Sequence, residues 1–239
     1  GYHTYGHEHV TPFDPEALKF VAQEMALEAG VDLKFHRFFV DSLVNNMTIE
    51  GIITASKRGL EALKGQIVID TTGDGDVAAR AGAPYEKGRP EDGRLQPVSL
   101  FFRVGNVDDD AVQAYMDAQH DGSFENLVRE AIEAGEFSHP KHRLTMFRLP
   151  RPGEWWANAS RVHGIDATDP DQLTEAEIEG HRQVLYLVDF MRKRVPGFSD
   201  CYLIDTGTQI GVRETRRIMG EYVLTADDVF GARRFDDAI

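Results

Sequence analysis

The sequence predicts a mixed α/β protein, with helices and short strands alternating along 239 residues. Three observations support this class. A helical segment with a good cap at Asp14 runs directly into several strand-like stretches. An apolar β-branched run, Ile67-Val68-Ile69, stops at the glycines of Thr71-Thr72-Gly73-Asp74-Gly75-Asp76. In the second half, short aromatic strands are interleaved with helices that carry clear start and stop signals. A chain of this length can form one large domain or two small ones, and 41% hydrophobic residues suffice for a buried core.

Asp14 is a good N-cap, Pro15 suits the first helical position, and Glu16 complements the positive end of the dipole. Leu18, Val21, Ala22, Met25 and Ala29 share one face and Gly30 supplies a left-handed stop, which gives an amphipathic helix of about four turns. Val31 to Phe35, Phe38 to Val44, Met47 to Ser56 and Gln66 to Thr72 follow as expected strands, with turn chemistry at Asn45-Asn46 and Lys64-Gly65. The last of these has no polar alternation and is expected to be buried on both faces.

From Ala83 to Pro97 the composition turns to Gly, Pro and charge, as in an exposed link, and Val98 to Val104 returns to strand character. Asp108 to Asp110 start a helix to about His120, and Ser123 opens another that Gly135 closes. Thr145 to Leu149 and Trp155 to Val162 are strands around a Pro-Arg-Pro-Gly turn. Trp155 and Trp156 therefore fall on opposite faces, one in the core and one at an interface or pocket wall. Thr174 and Glu177 form a capping box before the longest helix, which ends at Arg192-Lys193-Arg194 and Pro196-Gly197. Tyr202 to Asp205 is strand-like, and Val212 to Gly220 reads as a short helix or irregular turn.

Charge and cysteine usage exclude several functions. A net charge of -14 opposes nucleic acid and anionic membrane surfaces as partners, and such acidity is ordinary for a soluble enzyme. The single cysteine, Cys201, excludes an internal disulfide and a Cys-x-x-Cys redox pair, so redox chemistry requires a bound cofactor. No apolar run reaches membrane-spanning length and no signal-peptide pattern stands at the start, so a cytoplasmic location is the default expectation.

The corner at Thr72, Gly73, Asp74, Gly75 and Asp76 is the first candidate site. Two glycines one residue apart permit a sharp turn and leave no Cβ in the way of a bulky ligand. Asp74 and Asp76 would repel a phosphate, and no Lys or Arg lies between Gly65 and Arg80, so the corner is unlike a P-loop. Calcium fits poorly, because an EF-hand register from Asp70 or Asp74 puts Ala81 or Tyr85 where a bidentate Glu is needed. His3, His7 and His9 could seat a metal, the basis of an alternative reading as a metal-dependent hydrolase; the plainer reading is a polar loop.

The second candidate is Val212-Arg213-Glu214-Thr215-Arg216-Arg217, the densest positive charge in the chain. Guanidinium groups bind carboxylates through paired hydrogen bonds, so Arg213 and Arg216 are anion-facing candidates. The competing reading is an internal ion-pair network with Glu214, Glu221, Asp227 and Asp228. His139 and His163 are the least implausible proton-transfer groups, and each also suits a structural role.

Ile69-Asp70-Thr71-Thr72-Gly73-Asp74 resembles the strand-Thr-Gly-Asp motif that closes the flavin site of FAD-dependent oxidoreductases with a glutathione-reductase-like FAD domain. Gln209-Ile210-Gly211-Val212-Arg213-Glu214-Thr215-Arg216-Arg217 is similar to a block in FAD-dependent oxidoreductases related to heterodisulfide reductase A and fumarate reductase flavoproteins. The resemblance implies FAD as cofactor, with the backbone at Thr72, Gly73, Asp74, Gly75 and Asp76 against the dinucleotide and a backbone group at Phe39 reading the adenine. It implies a partial Rossmann-like FAD-binding domain with an antiparallel β-meander over residues 1–83. An inserted mixed α/β substrate domain would fill 84–239, with 203–239 a candidate for return toward the FAD domain. The family's glycine-rich opening turn is not found, so the chain is expected to be the central segment of a longer protein. The implied activity is hydride transfer between flavin and a small substrate, with an anion among the candidates. The alternative from another class is a non-catalytic α/β binding module.

Overall fold

The computed structural model describes residues 11–236. In chain order the elements are α1 (Pro15–Glu28), β1 (Phe38–Asn45), β2 (Thr48–Ser56), β3 (Gly59–Lys64), α2 (Asp76–Arg80), β4 (Tyr85–Lys87) and β5 (Phe102–Gly105). They continue with α3 (Asp109–Gln119), α4 (Glu125–Glu133), β6 (Thr145–Arg148), β7 (Trp155–Asn158), α5 (Pro170–Arg194), β8 (Tyr202–Thr206), β9 (Arg216–Ile218) and α6 (Ala226–Phe230). The protein is mixed α/β, and every strand pair among the described residues is antiparallel. The chain divides into two compact units, one of Gly1–Leu33 with Leu95–Arg213, the other of Lys34–Arg94 with Glu214–Ile239.

The first unit holds the hydrophobic core. Its sheet has the order β6-β7-β5-β8, and Phe102, Val104, Met146, Trp155 and Ala157 are buried together with Val112 of α3, Val128 of α4 and Leu187 and Met191 of α5. Helix starts follow the sequence with two shifts. Asp108 caps α3 as expected, its carboxylate accepting from the Asp110 and Ala111 amides. The long helix begins earlier than the Thr174-Glu177 box, because Asp169 followed by Pro170 is a stronger start: Asp169 Oδ1 accepts from the Asp171 amide at 2.9 Å. Thr174 instead donates to the Pro170 carbonyl, and Glu177 accepts from the Ile210 amide. At α4 the buried Asp121 carboxylate, rather than Ser123, takes the free amides of Glu125 and Asn126. Trp155 is buried and Trp156 is 38% exposed, the split that strand alternation requires.

α1 is capped as expected, with Asp14 Oδ1 accepting from the Glu16 and Ala17 amides. Its apolar face is uncovered, and none of its residues is buried. Residues 31–35, expected as a strand, form no ladder.

The second unit contains the meander β1-β2-β3 and the pair β4-β9. Asn46 and Met47, both at positive φ, turn β1 into β2 as a two-residue hairpin demands. α2 lies against β1, with Ser42 Oγ donating to the Val77 carbonyl at 2.8 Å. Two expectations fail here. Gln66 to Thr72 is not a buried strand: it pairs with no described segment, and Ile67 and Ile69 stand more than four-fifths exposed at 83% and 81%. A strand is held by its neighbours, and an apolar run without one forms no ladder. Conversely, Arg216–Ile218 is neither helix nor irregular turn but a strand, because Tyr85–Lys87 in the expected link pairs with it.

Candidate functional site

The two motifs singled out by the sequence meet in the second unit. Asp70 latches the first of them: its carboxylate accepts from the Thr72 amide at 3.0 Å, the Thr72 hydroxyl at 2.7 Å and the Ala78 amide at 3.1 Å. Burial pushes its acidity the other way, yet these hydrogen bonds prevail and hold the carboxyl below its usual range. The Thr72 hydroxyl in turn accepts from the Asp76 amide, which occupies a donor at the start of α2. Sequence reasoning passed over Asp70. Its spacing to Thr72, side chain to backbone two residues on, is the turn signal that marks it.

Asp74 and Asp76 are turned to the second motif rather than left free. Thr215 donates its hydroxyl to Asp74 Oδ1 at 2.6 Å. Arg216 Nη1 donates to Asp76 Oδ1 at 2.7 Å and to the Asp74 carbonyl at 3.2 Å. The Arg216 guanidinium lies 5.6 Å from the centroid of the Tyr85 ring. Arg217 pairs with Glu214 and donates to the Gly88 carbonyl. The negative charge that Asp74 and Asp76 bring to the corner is thereby partly offset from within the unit. Of the three arginines only Arg213 is exposed with no ion-pair partner among the described residues.

The two glycines of the corner differ. Gly75, at φ 62°, faces the second motif, and a Cβ there would lie 2.8 Å from Ile218 Cγ1. Gly73, at φ 83°, is exposed and a Cβ there would meet nothing within 4 Å. The backbone at Thr72 and Gly73 is thus an open face on a latched turn, and the exposed Ile67 and Ile69 precede it in the chain. Phe39 is half-buried on β1, an edge strand, immediately before a bulge at Val40.

The histidines lie apart from this corner. His139 is buried in the first unit. Its Nδ1 accepts from the Lys141 amide, so Nε2 carries the proton and donates to Gln183 Oε1 at 2.9 Å. Gln183 also joins the Arg161 amide and carbonyl and Glu179. Both ring nitrogens are used, and burial first of all pushes the imidazole below its ordinary pKa. His163 is exposed. His3, His7 and His9 lie outside the described residues, among which no group of three or more His, Cys, Asp or Glu could hold a metal.

All of residues 1–239 match the family model of the FAD dependent oxidoreductases. The chain belongs to this family. No curated protein and no solved structure matches it. Membership in the FAD-dependent oxidoreductases implies FAD as the cofactor and a redox function. The corner fits such a group on its own geometry: a ligand with a flat, extended backbone-facing edge needs a turn without side chains, and Gly73 provides one on which no neighbour intrudes. Among the described residues no helix is long and apolar enough to cross a membrane.

Proposed function

We propose that this chain serves an FAD-dependent oxidoreductase reaction on a small substrate, with the Thr72-Gly73 backbone against the dinucleotide. The open Gly73 face carries this reading. Bound FAD supplies the hydride chemistry, and the protein supplies position and electrostatics. In this reading the second unit is part of a Rossmann-like FAD domain. Asp70 and Thr72 keep the turn rigid, and the edge strand β1 offers unpaired backbone groups near Phe39 for the adenine side.

Asp74, Gly75 and Asp76 contribute indirectly, through their hold on Thr215, Ile218 and Arg216. Arg216 is a positioning residue, since its Nη1 is spent on Asp76 and the Asp74 carbonyl. Arg213 remains the anion-facing group for a carboxylate-bearing substrate. His163 is the exposed candidate for proton transfer, whereas His139 is committed to its network with Gln183.

The test is a visible spectrum of the purified full-length protein. Oxidised flavin absorption that bleaches with dithionite is expected. A colourless preparation that takes up no added FAD would leave a non-catalytic binding module as the better reading.

A further inference from the structure

We propose that the first unit carries a separate binding site for an uncharged compound with a planar ring, which stacks on Trp156. A cavity of about 330 Å³ opens on one face of the β6-β7-β5-β8 sheet, within the size range of small-molecule sites. Its floor is a single cross-strand row: Phe147 pairs with Trp156, Trp156 with Arg103, and Arg103 with Asp205, and all four line the cavity. The opposite face of these strands is the core, so the row is held on a rigid support. The rest of the lining comes chiefly from residues 11–19, ahead of and within the first turns of α1, which the Asp14–Arg151 ion pair ties to the turn between β6 and β7.

Ring chemistry and charge together set the ligand class. Trp156 is stacked on Phe101, centroids 4.7 Å apart and 19° between planes, and that contact fixes the indole plane. Phe147 stands tilted to it at 6.1 Å. A planar ring gains most from such a wall. Each cation in the lining is already matched: Lys19 pairs with Glu16 at 2.9 Å, and Arg103 donates through Nε to Asp205 Oδ1 at 2.9 Å with Glu154 4.0 Å away. A carboxylate or phosphate entering here would meet Asp205 and Glu16 and find no free cation to offset them. Thr206, Gly207 and Thr208, at and beyond the end of β8, complete the lining.

Calorimetric titration of the full-length, FAD-loaded protein with naphthol and with naphthoate decides the matter. Naphthol is expected to bind one saturable site, and naphthoate about tenfold more weakly or not at all. Trp156→Leu should weaken naphthol about tenfold. Asp205→Asn should strengthen naphthoate several-fold by freeing Arg103, with naphthol unchanged. If Trp156→Leu does not fold, the Asp205→Asn comparison carries the decision alone. No saturable naphthol binding, equal affinity for both probes, an unaffected Trp156→Leu variant, no gain in Asp205→Asn, or release of FAD by naphthol would each overturn the assignment. The last would give the cavity to the cofactor.

Discussion

Arg216 donates to Asp76 at 2.7 Å across 140 residues of sequence, and this contact fastens the corner to the segment that completes its unit. The arginine side chain is 17% exposed and the aspartate 41%, so the pair is only partly shielded from water. Removing the cation leaves the Asp74 carbonyl and the Asp76 carboxylate short of a partner. Arg216→Ala is expected to cost about 1–2 kcal/mol, the range for a charged hydrogen bond discounted for exposure. Arg216→Lys should recover only part of it, because an ammonium does not lie over the Tyr85 ring as the planar guanidinium does. Denaturant unfolding of the variants checks the order wild type, Lys, Ala.

The two glycines of the corner should separate cofactor binding from folding. Gly73→Ala puts a Cβ into open space at a positive φ, a strain of about 1 kcal/mol, but places it on the face proposed for FAD. Its expected outcome is a folded protein that loses flavin on gel filtration. Gly75→Ala drives a Cβ to 2.8 Å from Ile218 at the same kind of φ, and should cost about 2–4 kcal/mol of stability. If Gly73→Ala keeps its flavin as wild type does, the dinucleotide is not at that face.

What the sequence revealed and what it hid divide along one line. Features set within a few residues were legible: the Asp14 and Asp108 caps, the meander from β1 to β2, the split of Trp155 and Trp156 between core and surface. Features set by distant pairing were not. Tyr85–Lys87 lies in a stretch whose composition signals a link, and Arg216–Ile218 in one dense with arginine; each becomes a strand only because the other is there. Ile67 to Ile69 shows the reverse, strong strand propensity without a partner. The candidate site was found from its glycines and acids, but the direction of those acids, toward Thr215 and Arg216 rather than a ligand, required coordinates.

His139 should make the protein acid-sensitive. Its folded pKa lies below the ordinary 6.5, chiefly through burial, so beneath about 6.5 the unfolded chain binds a proton that the folded one refuses. The stability its neutral form contributes is present above that pH and lost as the pH falls. Thermal midpoints should drop from neutral pH toward about 5, and the drop should be shallower in His139→Gln, which does not titrate there. Equal slopes would remove His139 from the account.

Lys141 should act in the opposite range. It is buried, 6% exposed, donates through Nζ to the Asn158 carbonyl, and forms no ion pair among the described residues. Burial, with Arg161 and Arg143 adding repulsion, brings its pKa down to about 8 from 10.5. Between those two values the unfolded chain holds the proton and the folded chain has released it, so raising the pH favours folding. The penalty of a buried ammonium is present in full below about 8 and disappears as the pH approaches 10.5. Lys141→Met, similar in shape and never charged, should therefore be more stable than wild type at neutral pH, with the advantage narrowing on the alkaline side. Urea unfolding of both proteins from neutral pH to about 10 measures that difference directly, and a constant gap across the series would mean that Lys141 keeps its proton in the folded state.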